Sequence, residues 1–134
     1  MVTFRWRGRF DDAEVSKLHS DAFGHASAAH DWRHQVSQHS LGWVCARDRG
    51  SLVGFVNVAW DGATHAFILD TMVSPDVQRQ GVGAGLVAVA VREARSAGCD
   101  WLHVDFEDNL GGFYIDGCGF RATSAGLIDL TTGR

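Results

Sequence analysis

Apolar and polar residues alternate along VTFRWRG, residues 2 to 8, a period that predicts an opening strand. The period then changes. In FDDAEVSKLHSDAF, Val15, Leu18 and Ala22 recur at helical spacing, and Asp11 followed by Glu14 makes a capping-box pattern. A helix is therefore expected over roughly 11–23. HDWRHQVSQHS carries Trp32 and Val36 on one face and predicts a second, weaker helix. LGWVCARD and SLVGFVNVAW read as strands joined by the tight turn Asp48-Arg49-Gly50. Asp61-Gly62 supplies another hairpin turn, because Asp-Gly suits positions of positive φ. HAFILDTMV is a third consecutive strand, so residues 42–73 are expected to form an antiparallel meander.

Beyond Pro75, the only proline, the pattern is different again. Residues 82 to 91 are nearly all apolar, and LVAVAV alone would suit a buried strand. REARSAG continues the run without a turn signal, and Gly98 is a natural terminator, so a helix over about 81–97 is predicted. WLHVDF follows as a strand over 101–106, with Leu102, Val104 and Phe106 on one face. Strand, helix and strand in that order imply a parallel pair with a crossover. NLGGFYIDG predicts a short helix, and GFRATSAGLIDL one or two closing strands. No linker or repeat interrupts the chain. The expectation is one mixed α/β domain over 1–134, with a twisted central sheet of six to seven strands and helices on both faces.

Composition narrows the function. A chain of 134 residues, 46% hydrophobic and 21% charged, suits one soluble globular domain. A formal net charge of -4 argues against nucleic acid as a partner, and the RWRGR run is too short to reverse that. No apolar stretch reaches the ~20 residues of a membrane span, and no signal-peptide pattern opens the chain. The three cysteines, Cys45, Cys99 and Cys118, form no C-x-x-C pair, which fits free thiols in a reducing cytoplasm. Seven histidines raise the question of a metal. His30 and His34 can share a helical face, but no acid or cysteine set accompanies them at zinc-site spacing, so no metal is expected.

QRQGVGAGL, residues 78 to 86, carries the strongest signal. Glycine costs about 1 kcal/mol relative to alanine in a helix, yet Gly81, Gly83 and Gly85 stand at the start of one. A helix N-terminus has unpaired N–H groups and the positive end of the macrodipole, and binds anions, most often phosphate. Side chains would block approach to those groups. Gln78, Arg79 and Gln80 add donors, and a diphosphate is the natural occupant. Close packing of the helix on a strand is the alternative reason for glycine here. A dinucleotide fingerprint fails because Leu86 occupies the third glycine position, and a Walker A loop fails for want of Gly-Lys-Ser/Thr.

VSPDVQRQGVGAGL resembles the [Q/R]-x-x-G-x-[G/A] loop of the GNAT superfamily of acyl-CoA-dependent N-acetyltransferases, with Gln78, Gly81 and Gly83 in the defining places. NLGGFYIDGCGF is similar to the same family's late segment, in which a tyrosine on a short helix precedes Gly-Phe. The resemblance covers nearly the whole chain in element order. It implies acetyl-CoA as cosubstrate, with the pyrophosphate on the amides of Arg79, Gln80, Gly81, Val82, Gly83 and Ala84. It also implies that the pantetheine arm pairs with the strand ending Thr71-Met72-Val73, where that strand and the 101–106 strand splay apart. The Val73 N–H becomes the oxyanion donor, Tyr114 the acid toward the CoA sulfur, and Asn109 a contact to the cofactor arm. Tyr114 stands five residues before Gly119, one more than the family's usual four.

Acyl transfer to an amine needs a neutral nucleophile, and a lysine-like amine has a free pKa near 10.4, so a general base helps. Asp70, an acid inside an apolar strand, is the first candidate; Asp105 is the second, with Glu107 one step further out. His65 and His103 are candidate proton relays, and Trp32, Trp43 and Trp60 candidate pocket walls or core residues. The expected function is transfer of an acetyl group from acetyl-CoA to a primary amine of a small molecule or protein, the acidic balance favouring a cationic acceptor. A non-catalytic acyl-CoA sensor is the alternative, a longer acyl-CoA a weaker one. The apolar C-terminal strand offers a surface for a homodimer.

Overall fold

The computed structural model describes all 134 residues, which divide into two compact units, Met1–Val104 and Asp105–Arg134. The first contains β1 (Val2–Trp6), α1 (Asp12–Phe23), α2 (Trp32–His39), β2 (Ser40–Asp48), β3 (Ser51–Trp60), β4 (His65–Val73), α3 (Val82–Ser96) and β5 (Trp101–Val104). Its sheet runs β1-β2-β3-β4-β5. The first four strands pair antiparallel, and β4 pairs parallel with β5 across the α3 crossover.

Local chemistry sets the boundaries. The Glu14 carboxylate accepts the Asp11 N–H at 3.0 Å, and α1 ends at Gly24, whose φ of 73° lets its N–H reach the Ser20 carbonyl at 2.9 Å. Asp31 Oδ1 accepts the His34 N–H at 3.2 Å and starts α2. Arg49 and Gly50 both take positive φ, the requirement of the tight β2–β3 turn.

Helices cover both faces of the sheet. On one, α1 and α2 bury Val15, Leu18, Trp32 and Val36 in a cluster with Phe10, Cys45, Phe55 and Met72. Each such large apolar side chain contributes about 1.5–3 kcal/mol when fully buried. On the other face α3 comes close enough that a Cβ on Gly54 would lie 2.9 Å from Val82 Cγ1 and 3.1 Å from Ala46 Cβ. Trp32 is a core residue, with its indole N–H donated to Ser16 Oγ at 3.1 Å, and Trp43 is half-buried, donating to the Gly8 carbonyl at 2.8 Å. No helix is long and apolar enough to cross a membrane.

The second unit opens with a 3-10 turn, Asp108–Leu110, followed by a π-helical turn, Gly112–Gly117. Tyr114 is buried there among Phe106, Phe113 and Phe120, with ring centroids 4.7 to 5.9 Å away.

Two expectations are corrected. The sheet has five strands, not six or seven, because the residues after Gly119 form no strand. A short apolar run becomes a strand only when a neighbour completes its ladder. Leu127, Ile128 and Leu130 instead stay 72 to 85% exposed, and the C-terminal strand expected to pair across a dimer is not formed. The 101–106 strand stops at Val104, where its ladder with β4 ends.

Candidate active site

The site begins with an irregularity in β4. Leu69 faces Asn57 and Met72 faces Phe55, so three residues on β4 span what two span on β3. One residue is extra, a β-bulge. Asp70 takes φ of +55°, a left-handed conformation that a side-chain-bearing residue seldom adopts. Before the bulge, Ala66 and Ile68 are buried and Phe67 and Leu69 exposed. After it, Met72 joins the cluster under α1 and α2.

The bulge also marks where β4 loses its second neighbour. The parallel ladder ends at Ile68 paired with Val104, so beyond it Leu69, Met72 and Val73 pair only with β3. The Ser74 N–H donates to the Val53 carbonyl at 2.8 Å. Successive N–H groups of an extended strand point to opposite edges, which directs the Val73 N–H to the unpaired side. Within the first unit, β4 thus keeps a single ladder beyond Ile68, in the stretch that holds the inserted residue.

Asp70 is half-buried, and burial pushes its carboxyl above the usual carboxylate range, offset in part by His19 and His30. His19 Nδ1 lies 2.6 Å from His25 Nε2, and His30 Nε2 lies 2.6 Å from Gln35 Oε1. Trp32 packs beside both His19 and His30, with ring centroids 5.6 and 4.5 Å apart. Burial lowers the basicity of His19, and so does repulsion from its histidine neighbours. Sequence reasoning missed His19 as a neighbour of Asp70. Its signal was its place four residues after Val15, on the same helical face. His65 and His103 do meet, Nδ1 to Nε2 at 2.7 Å, with His103 stacked on Phe67. His65 opens β4 and His103 pairs with Phe67 from β5, both at the opposite end of β4 from the bulge-to-Val73 stretch.

After β4 the chain folds into a short 3-10 turn, Pro75–Val77, capped by Ser74 Oγ accepting the Asp76 N–H at 3.3 Å and anchored by buried Val77. Gln78, Arg79 and Gln80 are exposed, with Arg79 at φ of +65°. Gly81 precedes α3 at φ of +78°, no side chain caps the helix, and its first turn holds no acid. The Gly85 N–H closes the first helical bond, to the Gly81 carbonyl at 3.0 Å, leaving the amides of Val82, Gly83 and Ala84 ahead of it.

The glycines divide between the two explanations given for them. At Gly81 an added Cβ would meet nothing within 4 Å, so its dihedral and its openness matter. At Gly85 a Cβ would sit 2.3 Å from Phe4 Cζ, so that glycine serves helix-on-strand packing. The open, uncapped turn at 79–84 fits a diphosphate. Arg79, Gln80, Gly81 and Ala84 are exposed, and two cavities of about 630 and 620 Å³ are lined by other residues.

Within the second unit, the Cys118 N–H bonds the Phe113 carbonyl at 2.9 Å, the wide spacing of a π turn. That turn accommodates the extra residue between Tyr114 and Gly119. Asn109 is exposed inside the 3-10 turn that Glu107 starts, so it does not cap it. Asp105 follows β5 directly and is exposed, unlike Asp70. No group of three His, Cys, Asp or Glu is placed to hold a metal ion.

A family model described as the acetyltransferase (GNAT) family matches residues 9–120. No curated protein matches the sequence. Among solved structures, a GNAT-family acetyltransferase from Streptococcus pneumoniae is similar at 24% identity, over 97% of this chain and 99% of that one, with a TM-score of 0.76. An acetyltransferase from Trypanosoma brucei is similar at 19% identity over 97% and 100%, with a TM-score of 0.81. AAC(6')-Iy, solved with the bisubstrate analogue CoA-S-monomethyl-acetylneamine, is similar at 18% identity over 96% of each chain, with a TM-score of 0.74. At these identities the likeness shows the fold.

Proposed function

The chain belongs to the GNAT family of acetyltransferases, and from that premise we propose that it transfers an acetyl group from acetyl-CoA to a primary amine. The observation that carries this reading is the uncapped start of α3, one short 3-10 turn after a stretch of β4 that has a ladder on one side only. That order suits a nucleotide diphosphate at one point and an extended pantetheine arm at the next. AAC(6')-Iy binds an analogue that combines CoA with acetylneamine, an acceptor precedent within the fold.

In this reading the pyrophosphate rests on the amides of residues 79–84, with Gln78 and Arg79 adding donors. The pantetheine arm runs along Thr71, Met72 and Val73 as an added strand. The acceptor nitrogen attacks the thioester carbon; a C–N bond forms and the carbonyl electron pair moves to oxygen, where the Val73 N–H receives it. One such donor supplies about 3 kcal/mol of transition-state stabilisation. The amine's proton passes to Asp70, made more basic by burial, with His19 next in line. Collapse breaks the C–S bond, and the thiolate takes a proton from Tyr114, the role that the family resemblance implies. Asp105 is the second candidate base, and Asn109 a contact to the arm. Three free cysteines fit a cytoplasmic location.

Thiol release from acetyl-CoA, measured against a panel of primary amines with mass detection of the acetylated product, tests the reading. A non-catalytic acyl-CoA sensor is the second reading, favoured by the burial of Tyr114 among three phenylalanines. Saturable CoA binding without thiol release across the panel would select it. Absence of CoA binding would remove both.

A further inference from the structure

The RWRGR run has no role in the reaction proposed above, yet the loop it forms between β1 and α1 is closely fixed. Arg7 adopts φ of +54°; its N–H donates to the Trp43 carbonyl at 2.7 Å, and its guanidinium to the Leu41 carbonyl at 3.2 Å through Nε and 2.6 Å through Nη2. Gly8 is buried, and a Cβ there would meet Cys45 Cβ at 3.1 Å and the Arg5 carbonyl at 3.2 Å. Phe10 is buried edge-on against Phe55 and Trp43. A strained residue, a close backbone approach and a core anchor thus hold the loop, and Arg7 and Arg9 alternate outward between the buried positions.

These arginines line a cavity of about 630 Å³ together with Arg33 and Ser37 of α2 and Arg47 of β2, a volume suited to a small ligand. Four arginines against Asp11 and Glu14 give the lining a formal charge of +2, which leaves -6 on the rest of a chain whose net charge is -4. Glu14 claims Arg47 through contacts of 2.8 and 3.0 Å, the ion pair that holds α1 to β2. Arg7 donates from Nε and Nη2 to the Leu41 carbonyl and lies 5.7 Å over the Trp6 ring, with no carboxylate paired to it. The guanidinium groups of Arg9 and Arg33 make no hydrogen bond and no ion pair. A cationic depression on an acidic protein gathers anions, and guanidinium groups suit planar or tetrahedral oxyanions.

We propose that this cavity is a second binding site, for a small molecule bearing a phosphate or carboxylate group, with Arg9 and Arg33 as its clamp. Arg7 adds positive field and Ser37 a hydroxyl donor. Phe10, Val36 and Trp43 place the cavity on the α1/α2 face, whereas α3 and the proposed coenzyme cradle lie on the other. The site stands whether or not the chain turns over acetyl-CoA.

Calorimetric titration of the full chain with inorganic phosphate, and separately with citrate, tests it at constant ionic strength in chloride, with and without saturating CoA. Saturable uptake of at least one ion is expected, undiminished by CoA, and the successful arm identifies the oxyanion. The Arg9→Ala/Arg33→Ala double variant, altered only at exposed side chains, should melt like the parent and bind roughly tenfold or more weakly. Should it melt early, Arg33→Gln alone carries the same test. Uptake of neither ion, unchanged affinity in the variants, or displacement by CoA would overturn the proposal.

Discussion

The two halves of β4 obey different rules. From Ala66 to Ile68 the strand pairs on both sides, and its burial alternates with the pleat. From Asp70 to Val73 it pairs only with β3, contains an extra residue and carries a non-glycine left-handed backbone. Such a conformation costs about 1–2 kcal/mol and persists where the surroundings over-determine it. Here Phe55 opposite Met72 refastens the strand to the core immediately after the bulge. The first half fastens the sheet through two ladders, whereas the second keeps one ladder and half-buries an acid.

The sharpest way to break the comparison is Asp70→Asn. If Asp70 is the base, acetyl transfer falls by roughly 10²- to 10⁴-fold. Stability should move the other way. Burial raises the Asp70 carboxyl above its unfolded value, so the folded chain holds that proton to higher pH than the unfolded chain does. Stability from this group is complete below the unfolded pKa and declines as pH rises through the folded one. An uncharged amide escapes that decline, so the variant's melting temperature at neutral pH should equal or exceed the parent's. The parent's rate should rise with pH as Asp70 ionises. A variant retaining more than about a tenth of parental activity would move the role of base to Asp105.

The regular half was legible in the sequence; the irregular half was legible only by composition. Helices α1 and α3, the meander and the crossover followed from period, caps and turn residues, because each is decided within a few neighbours. An acid in HAFILDTMV marked Asp70 as unusual, but nothing in that stretch announces an inserted residue. A bulge depends on which residues face one another across β3. The same dependence on partners explains the strand count: GLIDL has strand-like residues and no ladder. It also explains why His19 was missed beside Asp70, since the two are brought together by tertiary packing. The glycines show the reverse case, one motif with Gly81 and Gly85 serving separate ends.

Ile68→Ala probes the regular half. Ile68 is nearly buried and is the last residue of β4 paired on both sides. Truncation should cost about 2–5 kcal/mol, read as a fall in denaturation midpoint, while turnover per folded molecule stays near the parent's. Equal damage to turnover would mean the two halves are mechanically coupled. Gly54→Ala probes the irregular half from across β3. Gly54 faces Val73, and the new methyl would press on Val82 at the start of α3. Overpacking should cost about 1–3 kcal/mol, and shifting the helix start should also raise the KM for acetyl-CoA. A stability loss with no change in KM would count against the α3 start as the coenzyme's cradle.

The smallest expected effect is at Thr71. Its hydroxyl is buried within the irregular half and has no hydrogen-bond partner. A buried hydroxyl left unpaired costs about 1–3 kcal/mol, whereas removing it from a site of the same shape is close to neutral or favourable. Thr71→Val should therefore leave the melting temperature unchanged or slightly raised, the opposite of Ile68→Ala three residues earlier. Its second readout is affinity for CoA. If the pantetheine arm pairs through backbone groups alone, affinity should be unaltered; a weakened complex would show that the Thr71 hydroxyl, idle in the free protein, finds its partner on the coenzyme.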